Sequence, residues 1–299
     1  MSTKKDALAV QRIIFNELPD HPLLVVPYSQ VVANNILGDC PFFSPSFTFS
    51  EAKKSKRPCI GVTTTKVRLP GHSEDSFAVR ENLIRMLQNA GAIGFLMPHD
   101  PNILQTHCLD YLDGYVLSGG GDPHPETVNS PVETLGLRDQ NLDKTRDSYE
   151  RRIIESAYAD KPLWGICRGA QMIANEYGGL LTSTEDHLDP SNSYAGLRNS
   201  QHQIQRFPSK RIDSWMSFGL SENSAHHLGI AEPGRDMHVI ATAISNRNTI
   251  VEAFESKEYD NFVIATQWHP EFDIRSRETQ KIARKFVQAA KSYGKRKFY

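Results

Sequence analysis

The feature that most constrains this chain is the pentapeptide Gly165-Ile166-Cys167-Arg168-Gly169. It sits between a short strand-like run, Pro162-Leu163-Trp164, and a helical pattern from Ala170 to Tyr177 that stops at Gly178-Gly179. A glycine on each side of a central nucleophile is the signature of a nucleophile elbow, here with cysteine in the place of serine. The elbow needs these residue types. Its backbone turns sharply from strand to helix, and a Cβ at the flanking positions would collide with the turn. The helix that follows aims its positive dipole end at the sulfur, which favours the reactive thiolate. The plainer reading is a buried cysteine among packing glycines. Placement between a strand pattern and a helix pattern favours the elbow.

The surrounding pattern agrees with such a turn. From residue 58 onward strand and helix signals alternate. Cys59 to Thr64, Ile93 to Met97 and Tyr115 to Leu117 read as strands, and a helical pattern carries Phe77, Ile84, Leu87 and Ala90 up to Gly91. A second helix is expected over about Asp143 to Ala159, with Asp143 as its cap. Three β-rich runs follow, at 238–243, 249–254 and 262–267, and a terminal helix carries Ile282, Phe286, Ala290 and Tyr293 on one stripe. This order predicts an α/β fold with a central, mostly parallel sheet flanked by helices. Residues 180–235 are expected to supply loops and short strands near the mouth of the site. Residues 1–56 read as an N-terminal extension of unknown role, and 57–299 as the catalytic domain. The polar run Glu51 to Arg57 reads as the linker between them. The extension carries Leu23 to Val26, Phe42, Phe43, Phe47 and Phe49, more apolar surface than a solvated tail exposes, so it is expected to pack on the core or on a neighbouring subunit.

A cysteine nucleophile needs a base, and the base needs an orienting group. Gln267-Trp268-His269-Pro270-Glu271, at the end of the last strand, supplies both. Residues i and i+2 of a strand share a face, so Glu271 can hold the His269 imidazole. The loop Ser118-Gly119-Gly120-Gly121-Asp122-Pro123 follows another strand. It matches neither G-x-G-x-x-G nor G-x-x-x-x-G-K-[ST], so a nucleotide reading fails. It reads as half of an oxyanion hole, with one N–H from Gly119 and the other from Arg168; a simple tight turn would account for some of the glycines.

Composition closes other routes. The chain is 39% hydrophobic and 23% charged with a formal net charge of -1, which argues against wholesale binding to nucleic acid or an acidic membrane. Cys40, Cys59, Cys108 and Cys167 form no C-x-x-C pair, and no stretch of 18 apolar residues is present. The polar N-terminus leads into no signal-peptide pattern, so free thiols and a cytoplasmic location are expected.

The motifs Leu117 to Asp122, Gly165 to Gly169 and Gln267 to Glu271 occur in the order and approximate spacing of class I glutamine amidotransferases, and over about residues 58–290 the chain resembles that superfamily. Within it the chain is most similar to the gamma-glutamyl-gamma-aminobutyrate hydrolase branch. Ile60 to Thr63, Asp143-x-x-Arg146-Asp147-x-x-Glu150 and Asn223-Ser224-x-His226-His227 carry that similarity. The resemblance implies a Cys167, His269 and Glu271 triad that cleaves the amide of a small γ-glutamyl amine or amino acid through a γ-glutamyl thioester. It also implies substrate contacts from Gly120, Arg146, Asp147, Gln171, Ser224, His226 and His227. No metal or organic cofactor is expected, and a homodimer is left open. His226 and His227 alternate faces and lack a third ligand in the pattern, so the pocket rim is preferred to a metal for them. One departure stands out: Leu228 replaces the glutamine that the branch carries after its His-His pair. The alternatives are a glutaminase subunit that feeds ammonia to a separate synthetase, and a catalytically silent binding protein of the same fold.

Overall fold

The computed structural model describes residues 10–15, 18–31, 42–47, 49–99, 107–137, 142–157, 161–184, 201–245, 247–258 and 262–296. The first half contains β1 (Gln11–Phe15), β2 (Leu18–Pro27), α1 (Phe49–Lys54), β3 (Cys59–Thr63), β4 (Thr65–Arg68), β5 (Asp75–Arg80), α2 (Glu81–Asn89), β6 (Ile93–Met97) and β7 (Gly114–Leu117). The second contains α3 (Lys144–Ala157), β8 (Leu163–Ile166), α4 (Arg168–Glu176), β9 (Leu180–Ser183), β10 (Gln201–Gln203), β11 (Gln205–Arg206) and β12 (Ser221–Asn223). It closes with β13 (Leu228–Glu232), β14 (Met237–Ser245), β15 (Asn248–Ser256), β16 (Val263–Thr266) and α5 (Arg277–Arg296).

The fold is α/β. The main sheet has ten strands among the described residues, in the order β11-β14-β15-β16-β8-β7-β3-β6, with β13 and β9 attached through β15. From β16 through β8, β7 and β3 to β6 every pairing is parallel. These strands are short apolar runs buried on both faces, as β3, β6, β7, β8 and β16 all are, which is what a sheet covered by helices on both sides demands. Beyond β16 the pairings turn antiparallel, so the sheet is mixed. α5 covers one face through Ile282, Phe286 and Ala290, with Phe286 centred 5.7 Å from the Trp164 ring of β8. On the other face α4 lies against β8 and ends where Gly178 takes φ +80°. There the N–H of Gly179 bonds to the Ala174 carbonyl and that of Gly178 to Asn175, a Schellman stop. Among the described residues no helix is long and apolar enough to cross a membrane.

Two local expectations are corrected. Phe77 lies on β5, not on a helix; α2 begins only at Glu81. The run Asp75–Arg80 pairs with β2 on one side and β4 on the other, and this pairing overrides any helical spacing. The stretch read as a linker carries α1, whose Ala52 is buried. Earlier in the chain, β2 sits in a second, antiparallel sheet of order β1-β2-β5-β4. Leu24, Val26, Phe42 and Phe43 are buried in the main core, and Phe43 exchanges backbone hydrogen bonds with Leu96 of β6 at 2.6 and 3.0 Å, covering that edge of the main sheet.

Candidate active site

Three neighbouring parallel strands end together and deliver the site. Gly165 of β8 stands opposite Leu117 of β7, and Ile166 stands opposite Thr266 of β16. Cys167 therefore begins one residue beyond β8, the glycine loop one residue beyond β7, and His269 three residues beyond β16. This is the carboxyl edge of the sheet, where α/β folds place their ligands.

Cys167 holds φ +52° and ψ −109°, a strained backbone conformation for a residue with a Cβ. Its N–H bonds to the Thr266 carbonyl at 2.8 Å, which ties the elbow to the strand that carries the histidine. The flanking glycines are sterically required. A Cβ on Gly165 would lie 2.7 Å from the Gly169 carbonyl oxygen, and one on Gly169 would lie 2.1 Å from that of Leu117. The Cys167 side chain caps no α4 N–H, and its thiol meets His269. Cys59 and Cys167 are free thiols.

Nδ1 of His269 lies 2.7 Å from Oε1 of Glu271, and the imidazole also interacts with the Cys167 thiol. With Nδ1 engaged by the carboxylate, Nε2 is the nitrogen left for the sulfur. All three side chains are nearly inaccessible to water. Burial alone would lower the imidazole pKa, but the charges and hydrogen bonds of Glu271 and Cys167 outweigh it and push it up to about 10. Glu271 moves the opposite way: burial resists its charge, and His269 overcomes that and holds the carboxyl below its ordinary range. The ring is fixed mechanically as well. Phe272 stacks on it at 4.7 Å with planes 10° apart, and the Arg80 guanidinium lies over the Phe272 ring at 5.0 Å.

Gly119 touches the imidazole closely enough that a Cβ there would sit 2.6 Å from His269 Cε1. Arg168 is the first residue of α4, so its N–H has no partner within the helix. Its side chain turns away from the site and meets Glu150 and Asp147 of α3. Arg146 completes this cluster. Its guanidinium donates to Glu150 at 2.9 Å, to Thr65 Oγ1 at 2.6 Å, and to the carbonyls of Ser118 and Gly119 at 2.9 and 3.0 Å. Asp147 accepts from the N–H of His124 at 2.8 Å. Two arginines and two carboxylates thus balance in charge within the interior, and they tie α3 to both the elbow and the glycine loop. For Glu150 burial opposes ionisation, yet Arg146 and Arg168 prevail and hold its pKa down.

Comparison with known proteins places this arrangement. A family model described as peptidase C26 matches residues 58–271. The chain belongs to the peptidase C26 family. That family is class I glutamine amidotransferase-like. Over 203 residues this C26 chain is 32% identical to the glutamine amidotransferase-like protein YvdE of Lactococcus lactis, covering 64% of this chain and 80% of that protein. It is 34% identical over 158 residues to the gamma-glutamyl-CDP-amidate hydrolase of Campylobacter jejuni, covering 52% and 60%, and 24% identical to the gamma-glutamyl hydrolase of Rattus norvegicus, covering 78% and 73%. Among solved structures, a GMP synthase subunit from Thermoplasma acidophilum superposes with a TM-score of 0.54 at 21% identity, covering 81% of this chain and 98% of that one, a likeness of fold.

The residues expected at the C26 substrate occupy several different positions. Gly120 and His227 lie at the loop in front of the elbow. His227 Nε2 pairs with Asp122 at 2.9 Å, clasping the glycine loop to the segment after β12. Arg146 and Asp147 lie behind the loop, 3% and 1% exposed, and both hydrogen-bond within the protein. Gln171 is buried and donates to the Leu228 carbonyl at 2.7 Å. Ser224 is buried. His226 turns inward, away from His227, towards Glu252 and Thr184. Sequence reasoning missed Asn223, Phe272 and Arg80. Asn223 belongs to a motif it had singled out, but the backbone clasp that residue makes has no signature.

Proposed function

We propose that this C26 chain hydrolyses the γ-glutamyl amide bond of a small γ-glutamyl amine or amino acid, releasing glutamate through a γ-glutamyl thioester on Cys167. The observation that carries the reading is the placement of His269, with Nδ1 2.7 Å from Glu271 and the ring against the Cys167 thiol, beside the amides of Gly119 and Arg168. The thiolate sulfur attacks the γ-carbonyl carbon, and the two amides receive the developing oxyanion. The imidazolium of His269 protonates the amine as the C–N bond breaks. Neutral His269 then takes a proton from water, whose oxygen attacks the thioester carbon. The C–S bond breaks, and glutamate and the thiolate result. Glu271 fixes the tautomer and orientation of the ring throughout. The names of the Campylobacter and rat relatives support a γ-glutamyl substrate, and that of the Lactococcus relative supports amide chemistry at the same carbonyl.

The test is steady-state hydrolysis by the purified chain alone, comparing glutamine, γ-glutamyl-γ-aminobutyrate and γ-glutamyl polyamines. A higher kcat/KM for a substituted amide supports the proposal. Glutaminase activity that emerges only on addition of a partner from cell extract would make the chain an ammonia donor. No turnover, together with no covalent adduct from a glutamine-analogue electrophile by intact mass, would make it a binding protein.

A further inference from the structure

A second group of ligating side chains lies outside the Cys167 centre. His202 from β10, His226 from the segment before β13 and Glu252 from β15 converge, each offering a ligand atom within 4.8 Å of the others. His202 Nε2 is 3.2 Å from one Glu252 oxygen and His226 Nε2 is 3.6 Å from the other. The side chains are 12%, 2% and 0% exposed in that order, so the group is interior, with His202 the most exposed of the three. Neither the proposed hydrolysis nor the residues around Cys167 use it.

We propose that His202, His226 and Glu252 supply three ligands to a divalent metal ion of the zinc class, with a water molecule as the fourth. Three features carry this. The first is spacing: ligands about 2.0–2.1 Å from a tetrahedral zinc ion are separated by about 3.4 Å, and the two imidazole–carboxylate separations bracket that length. The second is chemistry. Two imidazoles and a carboxylate suit zinc, whereas magnesium and calcium take oxygen ligands. The third is the outer shell. Thr184 Oγ1 lies 3.4 Å from His226 Nδ1, the nitrogen remote from Glu252, and so orients the ring as metal-bound histidines are oriented.

The place of the site in the fold gives it a purpose. β10 pairs with β12 so that His202 stands opposite Glu222 and Gln201 opposite Asn223. Asn223 bonds to the backbone of His269, and the N–H of Gln267 bonds to the Glu252 carbonyl at 2.7 Å. A metal ion would staple β10, the segment at His226 and β15 around the residues that steady the histidine loop. The sequence could not reveal this, because the ligands are 24 and 26 residues apart and follow no ligand spacing.

The experiment uses the tag-free full chain as Cys167→Ala, so that the active-site thiol cannot take the metal. After chelator stripping and dialysis, Zn2+ is titrated calorimetrically, and Co2+ is added and read by its visible ligand-field bands. The expected result is one equivalent of zinc, a Co2+ spectrum of tetrahedral character, and loss of both in His202→Gln. Thr184→Val, which leaves all three ligands in place, is expected to weaken zinc binding about 10- to 100-fold, and it serves as the second variant if His202→Gln does not fold. Failure of the parent protein to bind an equivalent of either ion at micromolar concentration, or binding unchanged in both variants, would overturn the proposal. His202, His226 and Glu252 would then be an interior polar cluster without a metal. Neither result depends on the reaction assigned to Cys167.

Discussion

Asn223 grips the backbone of His269 from both sides: its Oδ1 accepts the His269 N–H at 3.0 Å, and its Nδ2 donates to the His269 carbonyl at 3.0 Å. A side-chain amide carries both an acceptor oxygen and a donor nitrogen, so it can fill both roles at once. Through it the strand β12 fixes where the chain turns after β16, and therefore where the imidazole stands relative to the elbow.

Asn223→Ala is accordingly expected to lower kcat about 10- to 100-fold while changing KM little, because a misplaced base costs transition-state stabilisation and not substrate binding. Asn223→Asp keeps the acceptor but loses the donor, and should fall between parent and alanine. Michaelis–Menten analysis on the preferred γ-glutamyl amide checks this, with far-UV circular dichroism as the control for folding. An unchanged kcat in the alanine variant would remove the clasp from the account.

In the proposed reaction, the charge of His269 sets the alkaline edge of turnover. Burial opposes the imidazolium, but Glu271 and Cys167 raise its pKa above the ordinary 6.5 to about 10. A raised pKa in the folded state means that the bound proton stabilises the fold; the contribution is complete below about pH 6.5 and is lost as pH rises through about 10. The plot of kcat/KM against pH is therefore expected to keep its alkaline limb near pH 10, and Glu271→Gln should move that limb downward. Histidine NMR on Cys167→Ala should report a lower His269 pKa than in the parent. An alkaline limb that stays in place in Glu271→Gln would sink the assignment.

Gly119 offers a steric test of the same pocket. A methyl group there would meet His269 Cε1 at 2.6 Å, whereas at Gly219 it would meet nothing within 4 Å. Gly119→Ala is expected to displace the imidazole or the loop and to cost at least about 100-fold in kcat/KM, the scale of a lost oxyanion donor. Gly219→Ala should leave activity within about twofold of the parent. Equal activities in the two variants, read side by side, would show that the loop does not border the reacting centre.

Much of this centre was legible because its parts obey local rules. The elbow requires two glycines around its nucleophile, and Glu271 lies two residues from His269, so short words of sequence carry both. The alternation of buried runs and helices also gave the α/β architecture. What stayed hidden depends on register and on partners far away in sequence. Phe77 sits in a segment whose spacing suits a helix, and only its pairing between β2 and β4 makes it strand. Arg146, Asp147 and Glu150 have the spacing of a solvated ion-pair face of a helix, and only the arrival of Arg168 from α4 turns that face into a buried network. The antiparallel half of the sheet and the convergence of His202 with Glu252 lie beyond any window short enough to show a period.

That network makes the last prediction, because it separates support from chemistry. Glu150 is fully buried and accepts from Arg146, Arg168 and Thr63. Replacing it with alanine leaves two guanidinium groups in the interior with one carboxylate between them. Breaking one partner out of a buried ionic set costs about 3–5 kcal/mol, since the remaining charge stays desolvated. Glu150→Ala should therefore lower the unfolding free energy by about that amount in urea titration. Its pKa is held below the ordinary carboxyl range, so the contribution of Glu150 in the parent is present above about pH 4.5 and is lost as pH falls further. The parent and Glu150→Ala should thus converge in stability on the acid side. Glu150→Gln keeps the shape and part of the hydrogen bonding, and should be destabilised less. If Glu150→Ala instead lost all activity while keeping parental stability, the cluster would belong to the substrate and not to the scaffold that holds the elbow and the glycine loop in place.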